Sequence, residues 1–386
     1  MKRLPVIASV LAAAALGWPA QAADPIKIGV MFPLTGPIAV QAAPERDAIK
    51  QAFEEENSTV AGRKIVLLFE DSAGRPDTGL TKVKALVERD KVDLLVAELV
   101  GSVGAAMAPY VTAQKVPWVN TVGISSLTRA QKSPYIFRFA PSAYQYGLAA
   151  AESAKKLGWK KVYFIGWNAP AGHESFEAAQ KVFGADNVLE PMFPNVGTAD
   201  FAPYLTRIDA SKADGVLIAM WGADAPRVIA QFAELGLSAK LPMFGIASFT
   251  SEELLGSMPP ESVGVLSSYT YCGTLDTPEN KAFVAGYKQR NNGLPGSYQY
   301  MGYQAAKMVI QAIKDVKGNV EDRDAFIAAL EKVQIKGPMG VTKFDKNHGI
   351  VADFYLLKVE KGTDGQLRNR CGDKLSQVED PYNLFP

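Results

Sequence analysis

The chain has 386 residues, of which 48% are hydrophobic and 21% charged, a net charge of +1, and only two cysteines and two histidines. Such a composition suits a packed globular protein large enough for two domains, and its charge balance excludes the basic footprint of a nucleic-acid binder. Neither a G-x-S-x-G elbow, an H-E-x-x-H or C-x-x-C motif, a Walker loop nor a G-x-G-x-x-G after a strand is present, so acyl transfer, a metal centre and a nucleotide cofactor are not expected.

Met1 to Ala22 has the form of an export signal: a positive head at Lys2 and Arg3, an apolar stretch from Leu4 to Leu16, and the small-residue cleavage pattern Ala20-Gln21-Ala22. The apolar run falls short of the ~20 residues that a membrane-spanning helix needs. A mature periplasmic chain beginning near Ala23 is expected, with no cysteine at the cleavage site to carry a lipid.

From Ile26 a rhythm of strand, bend and helix begins. Strands are predicted at Ile26 to Met31, Ile65 to Glu70, Leu94 to Leu99, Val116 to Val119 and Ile136 to Arg138. Helices are predicted at Ala42 to Asn57, Asp77 to Asp90, opening on an Asp-Thr cap, and Ala105 to Lys115. Short apolar strands alternating with helices of this length imply a parallel sheet covered on both faces. Gly101, Ser102, Gly104, Gly123 and Ser125 fall in two neighbouring bends at strand carboxyl ends, where open α/β sheets bind ligands and small residues let an anion approach backbone N–H groups.

After a helix at Ala143 to Leu157 the rhythm starts again. Strands at Lys161 to Gly166, Asn187 to Phe193, Gly215 to Met220 and Pro242 to Gly245 alternate with helices at His173 to Gly184, Phe201 to Ser211 and Ala225 to Leu235. The remainder reads as a strand at Val263 to Tyr271, helices at Pro278 to Asn291, Tyr298 to Val316 and Arg323 to Val333, and a strand pair, Gly340 to Phe344 and Phe354 to Glu360, about the turn 345–349. These last helices are expected to flank the first unit, so that the chain crosses between two α/β lobes more than once and leaves a cleft between them. The adjacent acids Glu70–Asp71 and Glu252–Glu253 point apart and read as solvated faces. Cys272 and Cys371 are expected to form a disulfide in an exported chain, with two free thiols the alternative. Closing that loop would contribute at most roughly 4 to 5 kcal/mol in the chain-entropy model.

The stretches IKIGVMFPLTGPIAVQA, VAGRKIVLLFEDSAGRPDTGLTKVKALV, PWVN and GPMGVTKFDKNHGIVADFYLLKV, in this order, resemble the periplasmic solute-binding proteins of the leucine/isoleucine/valine-binding type over nearly the whole mature chain. The resemblance implies two Rossmann-like lobes joined by three crossovers, lobe one at 24–141 plus 273–350 and lobe two at 142–272 plus 351–386. It also implies a small ligand held in the cleft of a hinged, monomeric trap, without cofactor or catalysis, and delivery to the membrane permease subunits of an ABC transporter.

For the ligand, the departures from the family pattern matter more than the match. Ser102 keeps a hydroxyl that amino-acid binders use, whereas Ile124 falls where a Thr, Ala171 where a Tyr and Ala247 where an ammonium-pairing Glu is usual. A buried ammonium without an anion costs several kcal/mol, so an aromatic carboxylate of benzoate or phenylpropanoate type is expected instead. Its carboxylate would sit at Val100, Gly101, Ser102 and the neighbouring N–H groups, with Thr121, Val122 and Gly123 offering hydrogen bonds. Trp167, Trp221 and Phe249, each in a lobe-two bend, are candidate stacking rings. His173 is a candidate carboxylate donor, Asp224 an acceptor for a ligand hydroxyl or a helix cap, and Gln41, Tyr144, Tyr298 and Tyr300 possible walls; His348 is given no role. Binding of a branched-chain or other amino acid or amide, a ligand sensor on the same fold, and an exported hydrolase are the alternatives.

Overall fold

The computed structural model describes residues 23–36, 38–130, 132–291 and 294–381, so the export-signal reading lies outside the described residues. In chain order the elements are β1 (Ile26–Phe32), α1 (Ala39–Glu54), β2 (Thr59–Val60), β3 (Arg63–Asp71), α2 (Pro76–Lys84), β4 (Leu94–Val96), α3 (Gly101–Ala113), β5 (Trp118–Asn120) and β6 (Ile136–Arg138). There follow α4 (Ala143–Lys156), β7 (Val162–Gly166), α5 (Pro170–Phe183), β8 (Val188–Met192), α6 (Ala202–Leu205), β9 (Gly215–Ala219), α7 (Asp224–Glu234), β10 (Met243–Ile246), α8 (Glu252–Leu255) and β11 (Leu266–Tyr269). The chain closes with α9 (Pro278–Lys288), α10 (Ser297–Asp315), α11 (Arg323–Lys332), β12 (Gln334–Gly337), β13 (Gly340–Phe344), β14 (Ile350–Lys361) and β15 (Leu367–Val378). Among the described residues no helix is long and apolar enough to cross a membrane.

The first sheet has the order β2-β3-β1-β4-β5-β6 and the second contains β11-β10-β9-β7-β8. Apart from the β2 hairpin these strands run parallel. Both sheets therefore reverse their winding order beside their first strand, at β1/β4 and at β7/β9, and such switch points open a crevice at the strand carboxyl ends. Central strands such as LLV in β4 and GVLIA in β9 are buried along their whole length, as helices on both faces require.

Two of the three late helices flank the first unit: α10 packs on α1, and Met308, Val309, Ile313, Phe326 and Leu330 share one core with Ile26, Ile28 and Val30, whereas Phe283 of α9 joins the second-sheet core. The chain thus passes between the sheets after β6, after β11 and along β14, which pairs with β13 at Ile350 and with β11 from Tyr355 onward. Ser142 opens α4 at the first passage with a capping box, accepting from the Gln145 N–H while Gln145 accepts from the Ser142 N–H.

Several elements differ from expectation for identifiable reasons. β4 stops at Val96 because Ala97 and Glu98 take φ of +72° and +96°, and α3 begins at Gly101 rather than Ala105. α2 begins with Pro76 at its first turn and no side-chain cap; Asp77 instead pairs with Arg75 at 2.8 Å. The 12-residue β15, LRNRCGDKLSQV, was not expected, because it lies along β14 at the sheet's border and carries a polar sequence without two-residue alternation. Cys272 and Cys371 are joined by a disulfide that ties β15 to the passage after β11.

Of the acids read as solvated faces, Asp71, Glu252 and Glu253 tie segments of the fold together, while Glu70 pairs with Lys82 at 2.8 Å. Glu253 accepts from Ser297 Oγ at 3.0 Å and from the Tyr298 N–H at 3.2 Å, at the positive end of α10. Glu252 faces the Gly273 N–H beside the disulfide, and burial, with the Glu253 charge next to it, pushes its carboxyl up to about 7. Between about pH 4.5 and 7 only the folded protein holds this proton, so stability falls as pH rises through that window. Glu252→Gln is expected to remove the slope, gaining about 1–2 kcal/mol at pH 8 and almost nothing at pH 4. Urea unfolding at both pH values checks it; equal effects at both would contradict the assignment.

Candidate functional site

A cavity of about 700 Å³ lies where the carboxyl ends of the two sheets face each other. Its first-sheet side is formed by Ile38 and Gln41 after β1, Leu99 and Gly101 after β4, Thr121, Gly123 and Ile124 after β5, and Tyr298 and Met301 of α10. The second-sheet side carries Trp167 and Ala171 after β7, Val196 and Gly197 after β8, Trp221 to Asp224 after β9, and Ala247 and Ser248 after β10. Among the described lining residues Asp224 alone is charged and none is Lys, Arg or His.

Trp167 and Trp221 lie with ring centroids 4.6 Å apart at 54°. The bend that presents Trp167 is closed tightly: a Cβ on Gly172 would fall 2.0 Å from the Trp167 carbonyl oxygen. Tyr146 and Tyr269, stacked with centroids 5.5 Å apart, close the far end. Neither was singled out in the sequence, because each sits within a helix or strand pattern that reads as core.

Of the candidate residues, Gln41, Gly101, Thr121, Gly123, Trp167, Trp221, Asp224 and Tyr298 come together around this cavity, and so do the three departures Ile124, Ala171 and Ala247. Other candidates do not reach it. Phe249 is fully buried in the second-sheet core, with its ring over Gly245, because the short helical turn 247–250 rotates it inward. Tyr300, two residues from Tyr298 and so on another face of α10, stacks on Tyr271 at 5.4 Å. Tyr144 is buried under the Arg129 guanidinium, 5.5 Å from its ring centroid. His173 is exposed, stacked on Phe193 at 4.3 Å.

The anion seat also differs from expectation. Glu98 accepts from the Leu99 and Val100 N–H groups at 3.0 and 2.8 Å, so the chain's own carboxylate occupies the donors just ahead of α3, Val100 included. Ser102 is exposed on the first turn of α3 and is not among the lining residues. The small residues here serve packing: a Cβ on Gly101 would meet Ile124 at 2.6 Å, and one on Gly104 would meet Val122 at 3.0 Å. Val122 is buried in that contact, and its N–H donates to Asn120 Oδ1 at 3.1 Å instead of a ligand.

Carboxyls brace the first-sheet bends. Asp71 accepts from the Leu34 and Ala73 N–H groups and the Thr35 hydroxyl, tying the bend after β1 to the one after β3. Thr121 Oγ1 donates to the Glu98 carbonyl at 2.9 Å. Glu45, fully buried on α1 beside Thr121, is held well above the usual carboxylate range by burial and by the Glu98 charge. Among the described lining residues the polar groups are uncharged except at Asp224.

A family described as periplasmic binding protein matches residues 25–365. An ABC transporter substrate-binding protein from Sphaerobacter thermophilus superposes with a TM-score of 0.88 at 31% identity, covering 92% of this chain and 99% of that one. A solute-binding protein of an ABC transporter from Rhodopseudomonas palustris BisB5, in complex with 3,4-dihydroxybenzoic acid, gives 0.83 at 30% identity, covering 93% and 99%. Leu/Ile/Val-binding protein homolog 6 of Brucella melitensis is 26% identical over 389 residues, covering 99% of each. Two parallel sheets with matching switch points, a cavity between their bends and these likenesses together assign the chain: it belongs to the periplasmic binding protein family, as a substrate-binding protein of an ABC transporter.

Proposed function

We propose that this protein binds an aromatic carboxylate of the benzoate or phenylpropanoate type in the cleft and delivers it, as a periplasmic monomer without cofactor or catalysis, to the membrane permease subunits of its transporter. The observation that carries the reading is the Trp167–Trp221 pair on a wall with no free charge. Tilted indoles offer a flat ring both apolar area and an edge-to-face contact. The ligand's carboxylate faces the start of α3 at Gly101, where helix N–H groups favour negative charge. Gln41, Thr121, Gly123 and Tyr298 complete that side, and the division into lobes at 24–141 plus 273–350 and 142–272 plus 351–386 accompanies this proposal.

Asp224 is the obvious objection, because a carboxylate in the wall suits a cation better than an anion. Its oxygens, however, already accept from Trp167 Nε1, the Gly197 N–H and Arg227 Nη1, and the guanidinium balances its charge. An α-ammonium would find no open anion there, and Ala247 supplies none. The related protein's 3,4-dihydroxybenzoic acid lends support, while the Leu/Ile/Val-binding relative is the reason to keep leucine in the test. Calorimetric titration of a benzoate and phenylpropanoate panel beside leucine is expected to give at least one aromatic acid about tenfold or more tighter than leucine. Tight leucine binding with no heat from any aromatic acid would refute the reading.

A further inference from the structure

We infer that Asp224 is a positioning residue, the single anchor that holds the aromatic wall of the cleft in its ring-selective shape without touching the ligand. Although Asp224 borders the cavity it is only 3% exposed, and its carboxylate bonds to the bend after β7, to the loop after β8 and to its own helix α7. Oδ2 accepts from Trp167 Nε1 at 2.8 Å, in the bend after β7, and from the Gly197 N–H at 2.9 Å, in the loop after β8. Oδ1 accepts from Arg227 Nη1 at 2.9 Å, one turn along α7, and the same nitrogen reaches the Thr198 carbonyl at 2.8 Å. Gln231, a further turn on, continues the seam by accepting from the Phe201 N–H at 2.6 Å and donating to the Ala199 carbonyl at 2.9 Å.

The bends after β7, β8 and β9 thus converge on one carboxylate. Trp221 lies two residues past β9 and three before Asp224, so the carboxylate that holds the Trp167 indole belongs to the same bend as the ring it packs on. Without it the Trp167 N–H loses its acceptor, and the indole is free to leave the one orientation that the pair contact and the hydrogen bond jointly define. A wall of fixed rings distinguishes a flat ligand from a puckered one of equal charge; a wall of mobile rings does so poorly. The specificity half of this inference rests on the proposed aromatic-carboxylate reading, while the geometric half does not.

The test uses the full mature protein and two readouts. The first is the near-ultraviolet circular dichroism of the ligand-free Trp167–Trp221 pair, with Trp167→Phe and Trp221→Phe defining what loss of the pair looks like. The second is the ratio of calorimetric affinities for benzoate and cyclohexanecarboxylate. Asp224→Ala is expected to lose most of the pair signal, as Trp167→Phe does, and to reduce the preference for benzoate about tenfold. Asp224→Asn, which keeps one acceptor oxygen, should fall between Asp224→Ala and wild type in both readouts, and it decides the matter if Asp224→Ala does not fold. A pair signal that survives both substitutions overturns the inference. So does an equal loss of affinity for both acids with the signal intact, since that marks a direct ligand contact. If wild type binds no aromatic acid of the panel the aromatic reading fails, and the ligand-free signal still decides the positioning role.

Discussion

Replacing Trp167 and Trp221 together by alanine is expected to weaken binding of the tightest benzoate-type ligand by about 10² to 10³-fold, equivalent to roughly 3–4 kcal/mol. Each indole keeps one part of its surface in the core and presents the rest to the cavity, Trp167 against the cluster around Phe249 and Trp221 against the one around Phe244. Truncation therefore removes about 1.5–2 kcal/mol of ligand contact per ring, a conservative share of what full burial of an aromatic contributes. Each single substitution should lose about 10- to 30-fold, the two losses combining to the one expected for the pair. Titration calorimetry on variants that keep the wild-type far-ultraviolet spectrum is the measurement. A double variant within threefold of wild type would show that the ligand sits elsewhere in the cleft.

The largest effect on stability is expected at the other end of the chain. Arg138 at the end of β6 is fully buried, and its Nη2 donates to Asp380 Oδ2 at 2.7 Å, while Arg129 Nη2 reaches Asp380 Oδ1 at 2.5 Å. Asp380 follows β15 of the second sheet, so the segment just after β15 straps back across the first passage between the sheets, where Gln145 Nε2 also donates to the Val378 carbonyl. Burial already pulls the Arg138 guanidinium below its ordinary range, with the Asp380 charge as the main opposing influence. Removing the carboxylate leaves a buried cation whose remaining partners are Thr128 Oγ1 and the Ala140 carbonyl. Asp380→Ala should therefore cost about 3–5 kcal/mol in urea unfolding, and Asp380→Asn less, because the amide oxygen still accepts one bond. A cost below about 1 kcal/mol would mean that Asp345, whose charge also acts on Arg138, takes over the pairing.

Much of the architecture was legible in the residues. Runs such as VYFIG and GVLIA can only be strands buried on both faces, and helical stretches of regular length between them force parallel pairing and crossovers. The positions of Trp167 and Trp221, immediately after such strands, follow from that rhythm, since strand ends in parallel sheets are where ligands collect. Phe249 obeyed the same rule and still turned inward, because rotation within a short helical turn is decided by what it packs on and not by its distance from a strand end. Tyr298 and Tyr300 make the point within one helix: two residues apart, one borders the cavity and the other stacks on Tyr271.

By itself, then, the amino-acid order determined the alternation of strands and helices, the two-unit plan and the aromatic character of the second-sheet bends, because these depend on local periodicity and on which residue follows which strand. Only the tertiary structure decided how the polar groups are used. Glu98 fills the donors ahead of α3, Asp224 is bonded on both oxygens, and Asp380 reaches two arginines about 240 to 250 positions earlier. The reason is physical: a hydrogen-bonding atom serves whichever partner the fold brings within about 3 Å, and that partner's place along the chain is unrelated to its place in space.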